Sequence, residues 1–108
     1  MDQDEGRRGD ERVTINEEFE SLDAFFETYV SNISRTGAFI KSPAPLPLGT
    51  RLQLRFVVLS QELEAIEAVA EVVRVQNDPP GMGVVFTELS EASARLIEKL
   101  LARRAGRG

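Results

Sequence analysis

The chain has 108 residues, with 18 Asp and Glu against 13 Lys and Arg, a net charge of −5, and no His, Cys or Trp. That length suits one domain around one core, and 42% hydrophobic with 29% charged residues is ordinary globular composition. Disulfides, thiolate metal sites and Cys or His catalysis are excluded, and the negative balance argues against broad binding to nucleic acid or anionic membranes. No apolar run approaches the ~20 residues that span a bilayer. The acidic start, Met1-Asp2-Gln3-Asp4-Glu5-Gly6, has no apolar stretch behind it and does not read as a signal peptide. The expectation is a soluble, cytoplasmic chain without membrane insertion.

Residues 1–11 are polar and read as a flexible arm. From Arg12 the period changes: Val13, Ile15 and Phe19 alternate with Thr14, Asn16 and Glu18, the mark of a half-buried strand. Glu20 to Asp23 reads as a turn. Phe25 to Ile33, rich in aromatic and β-branched residues, reads as a second strand, and Gly37 to Lys41 as a third. Pro43, Pro45 and Pro47, closed by Gly49, predict an extended loop that neither a helix nor a central strand tolerates.

Leu52, Leu54, Phe56 and Val58 then alternate with Arg51, Gln53 and Arg55 in the clearest strand of the chain. Leu63 to Gln76 is ambiguous. Glu62, Leu63, Ala65, Ile66 and Val69 fit a helix, but Val69, Val72, Val73 and Val75 favour a strand, so a strand with a loose start is expected. Asn77-Asp78-Pro79-Pro80-Gly81 signals a turn before a last short strand over 83–87. Ser90 is the expected cap of a C-terminal helix with Leu96, Ile97, Leu100 and Leu101 on one stripe; Ser at position 93 rules out a reciprocal capping box. The whole reads as a small six-stranded antiparallel β-barrel over residues 12–104 with a helix packed on it and a frayed tail at 105–108.

Two polar stretches stand out. Arg7-Arg8-Gly9-Asp10-Glu11-Arg12 places three guanidiniums in an acidic protein. Such a run is often merely a solvated face, but arginine forks also grip phosphate and pair with guanine edges. Asn32-Ile33-Ser34-Arg35-Thr36-Gly37 joins two strands. Its bland reading is a turn shaped by side chain–backbone bonds, with glycine at positive φ. Arg8-Gly9-Asp10 also spells the integrin-recognition tripeptide, which in a cysteine-free chain reads as coincidence. No Asp or Glu pair has acid/base or metal spacing, Ser34 has no histidine to activate it, and no P-loop occurs, so no catalytic or metal residue is assigned and the chain is not expected to be an enzyme.

Taken together, Arg8-x3-Arg12 and Asn32-x-Ser34-x-x-Gly37, with Arg12 and Asn32 twenty positions apart, resemble the paired signature of PilZ domains, bacterial receptors for cyclic di-GMP. Gly37-Ala-Phe-Ile40, the stretch from Leu48-Gly49-Thr50 into Leu52-x-Leu54-x-Phe56, Ala70-Glu71-Val72-Val73 and Gly83-Val84-Val85-Phe86 resemble further segments of that family. The resemblance runs over residues 7–101. It implies that Arg8 and Arg12 hold guanine and phosphates and that Asn32 and Ser34 contact the ligand from the barrel surface. It further implies that Gly37 lets the backbone turn close beneath the ligand, and that Arg7 influences whether one ligand or a stacked pair binds. On this resemblance the chain is an adaptor whose arm closes on cyclic di-GMP and signals to an unidentified protein effector, with no DNA or RNA involved. The alternative is a PilZ-like protein-interaction module in motility or envelope machinery that does not bind nucleotide. Residues 1–12 favour that alternative, since five acids against three arginines leave them at −2.

Overall fold

The alternation over residues 51–58 becomes the centre of a sheet because each second residue is apolar: Leu52, Leu54, Phe56 and Val58 are all fully buried. The computed structural model describes residues 12–59 and 63–106, so the arm over residues 1–11, with Arg7 and Arg8, lies outside it, as do Glu62 and the last two residues. The elements are β1 (Val13–Phe19), α1 (Leu22–Thr28), β2 (Val30–Ile33), β3 (Gly37–Lys41), β4 (Arg51–Leu59), β5 (Leu63–Asn77), β6 (Pro80–Leu89) and α2 (Glu91–Gly106). Among the described residues the strands form one sheet in the order β1-β4-β5-β6-β3-β2.

Two features differ from the expected antiparallel barrel. The sheet is mixed, because β1 pairs parallel with β4, Val13 opposite Leu52 and Phe19 opposite Val58. Parallel neighbours need a long crossover, here everything from α1 through the proline loop, whereas the other pairs are antiparallel. Nor does the sheet close: it curls into a half-barrel with β1 and β2 at its edges, and the helices fill the hollow.

The second expected strand is in its first half a helix. Ser21 caps it, its Oγ accepting from the Ala24 N–H at 3.1 Å, and Asp23 lies in the first turn. Leu22, Phe25 and Phe26 are buried at helical spacing. Aromatic content pointed to a strand, but the period of burial decides the matter, and the extended chain begins only at Val30. Phe19, Phe25, Tyr29 and Phe56 then meet edge-on or tilted at centroid distances of 5.2–6.5 Å, which gathers the aromatic half of the core.

α2 starts as its cap predicts. Ser90 Oγ accepts from the Ser93 N–H at 3.1 Å, and Ile97 and Leu100 are fully buried. The helix runs through Gly106, past the expected fraying point at 105. Ser93, which deprives the helix of a capping box, is itself buried and accepts the Glu67 backbone N–H at 3.0 Å beyond the end of β6. Buried Glu64 on β5 takes both arms of the Arg103 guanidinium, at 2.8 and 3.1 Å, and Lys99 at 3.1 Å. A charged residue in an inward position is what blurred the strand pattern near Leu63.

The hydrogen bond from Arg103 holds the Glu64 carboxyl below its ordinary value of 4.5. A depressed folded value means that this stabilisation is present above the unfolded value and is lost as pH falls through the folded one. Acidification below about pH 4.5 is therefore expected to lower the thermal midpoint. Glu64→Gln should start from a lower midpoint at neutral pH and respond less to acid.

Candidate functional site

The site-bearing face is set by register. Paired residues share a face, and Val72, opposite buried Val84, points into the core. The next row therefore points outward: Asn32 on β2 opposite Phe39 on β3, Phe39 opposite Gly83 on β6, and Gly83 opposite Arg74 on β5. A bulge between Val72 and Arg74 keeps Arg74 in that outer row.

The missing side chain at Gly83 gives the row its shape. Arg74 leans across the gap, with Cζ 5.6 Å from the Phe39 ring centroid. A Cβ at Gly83 would lie 3.4 Å from Arg74 Cβ and 3.9 Å from its Nε. Arg74 Nη2 donates to Gln76 Oε1 at 3.1 Å, and Gln76 Nε2 donates to the Pro79 carbonyl at 2.9 Å, so the guanidinium is held from behind.

Over this row lies an open cavity of about 470 Å³ whose walls include Asn32, Ser34, Gly37, Phe39, Val73 and Arg74. A smaller hollow of about 210 Å³ adjoins it, sharing Asn32, Phe39 and Arg74 and adding Lys41 and Gln76. Two cations, an aromatic ring and two carboxamides thus line a concave surface that suits an anionic, planar ligand.

Three of the six residues singled out from sequence meet at this cavity. Asn32 is exposed and has no side-chain hydrogen bond among the described residues. Ser34 is more engaged: its Oγ accepts from the Thr36 N–H at 3.1 Å and lies 2.9 Å from the Thr36 hydroxyl, while its own N–H donates to the Gly37 carbonyl at 2.9 Å. The bland reading of this stretch as a shaped turn holds for Ser34, although a hydroxyl with two acceptor sites and one donor keeps capacity for a ligand.

Gly37 departs from the reading of a glycine at positive φ. Its φ is not positive; among the described residues only Gly49, at 85°, has that conformation. The requirement is for space, since a Cβ at Gly37 would sit 2.2 Å from the Val84 carbonyl oxygen of β6.

Arg12 stands apart from the cavity. It precedes β1 on the same outer face, and its Nη1 donates to Gln53 Oε1 on β4 at 3.1 Å. By sheet order β5, which carries Arg74, lies two strand spacings away, about 10 Å. Arg7 and Arg8 lie outside the described residues.

Sequence reading missed Arg74, Phe39, Lys41 and Gln76. The signal available was weak: Arg74 interrupts a run of valines, and its alignment with Phe39 depends on a bulge and on pairing between strands distant in sequence. Among the described residues no group of three or more His, Cys, Asp or Glu could hold a metal, and no helix is long and apolar enough to cross a membrane.

A family model of the PilZ domain matches residues 6–103, which takes in both polar motifs, the whole sheet and most of α2. No curated protein matches the chain at a significant level.

Proposed function

The chain belongs to the PilZ domain family, whose members bind cyclic di-GMP and act as effector modules, and from that premise we propose that it is a cyclic di-GMP receptor that signals through a protein partner. The observation that carries this reading is the outer-face cavity with Asn32, Ser34 and Gly37 on its wall beside Arg74 and Phe39. The ligand is a dianion with two purines. Asn32 offers donors and an acceptor to a guanine edge, Ser34 a hydroxyl, and the Arg74–Phe39 pair a flat cationic surface for a base to stack on.

The arm supplies the remaining charge. Arg8 and Arg12 are four positions apart in sequence, a stretch that spans at most about 14 Å. Measured from the start of β1, on the same face, a stretch of that length would be long enough for Arg8 to meet a ligand at the Arg74 side of the cavity. Arg12 would exchange Gln53 for the ligand, and Arg7 would lie next to a second ligand if two stack. A good bidentate arginine–guanine contact discriminates by about 1–3 kcal/mol.

Calorimetric titration with cyclic di-GMP, with cyclic di-AMP and GTP as controls, tests the reading. Saturable heat with cyclic di-GMP alone is expected. Arg74→Ala should weaken binding by about 1–2 kcal/mol, as loss of a partly exposed cation–π and charge contact. The second reading, an interaction module that binds no nucleotide, is favoured by the net-acidic arm and by the Arg12–Gln53 bond, which engages Arg12 away from the cavity. It predicts no heat at any of these concentrations.

A further inference from the structure

Arg35 sits inside the cavity-forming turn, between Ser34 and Thr36, yet its side chain serves another element. Its Nη2 lies 3.5 Å from Glu91 Oε2 and its Nε 3.3 Å from Glu98 Oε2, both on α2. Glu91 also receives Arg95 at 3.5 Å. One guanidinium thus joins the turn that shapes the cavity to two carboxylates of the C-terminal helix.

These pairs do not hold the helix in place. α2 is anchored by buried Ile97 and Leu100, by Ser93 against the Glu67 N–H, and by the buried Glu64 with Arg103 and Lys99. The Arg35 side chain is 51% exposed and its two partners more so, and such pairs are weak and solvent-screened. They are therefore contacts that a nearby dianion can displace without loosening the fold.

Resting on the reading of the cavity as a cyclic di-GMP site, we infer that Arg35 couples that site to α2. Without ligand, Arg35 is shared between Glu91 and Glu98. With a phosphate diester against Asn32 and Ser34, the guanidinium turns to the ligand and leaves both carboxylates without it. Occupancy is then read on the outer side of α2 as a gain of local negative charge. By linkage, anything that binds the bared carboxylates tightens the ligand by the same factor.

The test is a mutant cycle read by calorimetric titration of the full chain with cyclic di-GMP, using wild type, Arg35→Gln, the Glu91→Gln/Glu98→Gln double variant and the triple variant. All changes are on the surface, and thermal midpoints verify folding. Freeing Arg35 in the double variant should tighten binding about fivefold, and Arg35→Gln should weaken it about fivefold. In the Arg35→Gln background, removing the two acids should change affinity by less than about twofold. An equal gain with and without Arg35 would mean a general charge effect and would overturn the coupling, as would no gain at all. Heat from the wild type with such additive changes removes this inference alone. No heat from the wild type removes the reading of the cavity, and the coupling with it.

Discussion

Arg8→Ala and Arg12→Ala are each expected to abolish calorimetrically measurable binding of cyclic di-GMP while leaving the thermal midpoint of the free protein almost unchanged. The reason is thermodynamic. On the proposed reading about five arm residues would have to be fixed against the ligand, at a cost on the order of 1–2 kcal/mol each, so net binding would need both guanidiniums. Losing either removes a contact worth about 1–3 kcal/mol and leaves the ordering cost in place. The folded body barely notices, because the Arg12–Gln53 bond is exposed, and an exposed bond of that kind contributes about 1 kcal/mol or less. Either variant binding within about threefold of wild type would remove the arm from the site.

Gly37→Ala carries the largest expected effect on stability. Its new Cβ would lie 2.2 Å from the Val84 carbonyl oxygen and 3.3 Å from Val84 C and Val85 Cα. All three are backbone atoms of β6, a strand paired on both sides, so no side chain can swing away. A cost of about 3 kcal/mol is expected, with a fall in thermal midpoint of more than about 10 °C. The motif glycine would thereby prove to serve the sheet first and the ligand second. An unchanged midpoint would show that β3 can shift, and would return the glycine to a ligand-facing role.

The sequence was legible where one residue type repeats at one period. β4 could be read almost residue by residue, because apolar residues stand at every second position from Leu52 to Val58 and the structure buries them; Val57, also buried, is the one break in the alternation. α2 could be read from Ser90 and its leucine stripe. Residues 22–28 were misread because phenylalanines serve a helix or a strand equally well when buried. Only their spacing against the half-barrel interior separates the two, with Ser21 as the local hint. Glu64 disguised the start of β5 for a related reason: its partners, Lys99 and Arg103, lie 35 and 39 positions away.

The same division holds at the candidate site. Asn32, Ser34 and Gly37 could be named from spacing because they lie within six residues of one another. Phe39 and Arg74 could not, since they come into register only through β6, with Gly83 between them and a bulge aligning the row. By itself the sequence determined the local elements with a clear period or cap and the two motifs that mark the family. Only the tertiary structure decided that β1 runs parallel to β4, that the sheet stays open around two helices, and that an arginine and a ring meet across a glycine. Each of those depends on contacts between distant segments, and local propensity carries no information about which strands become neighbours.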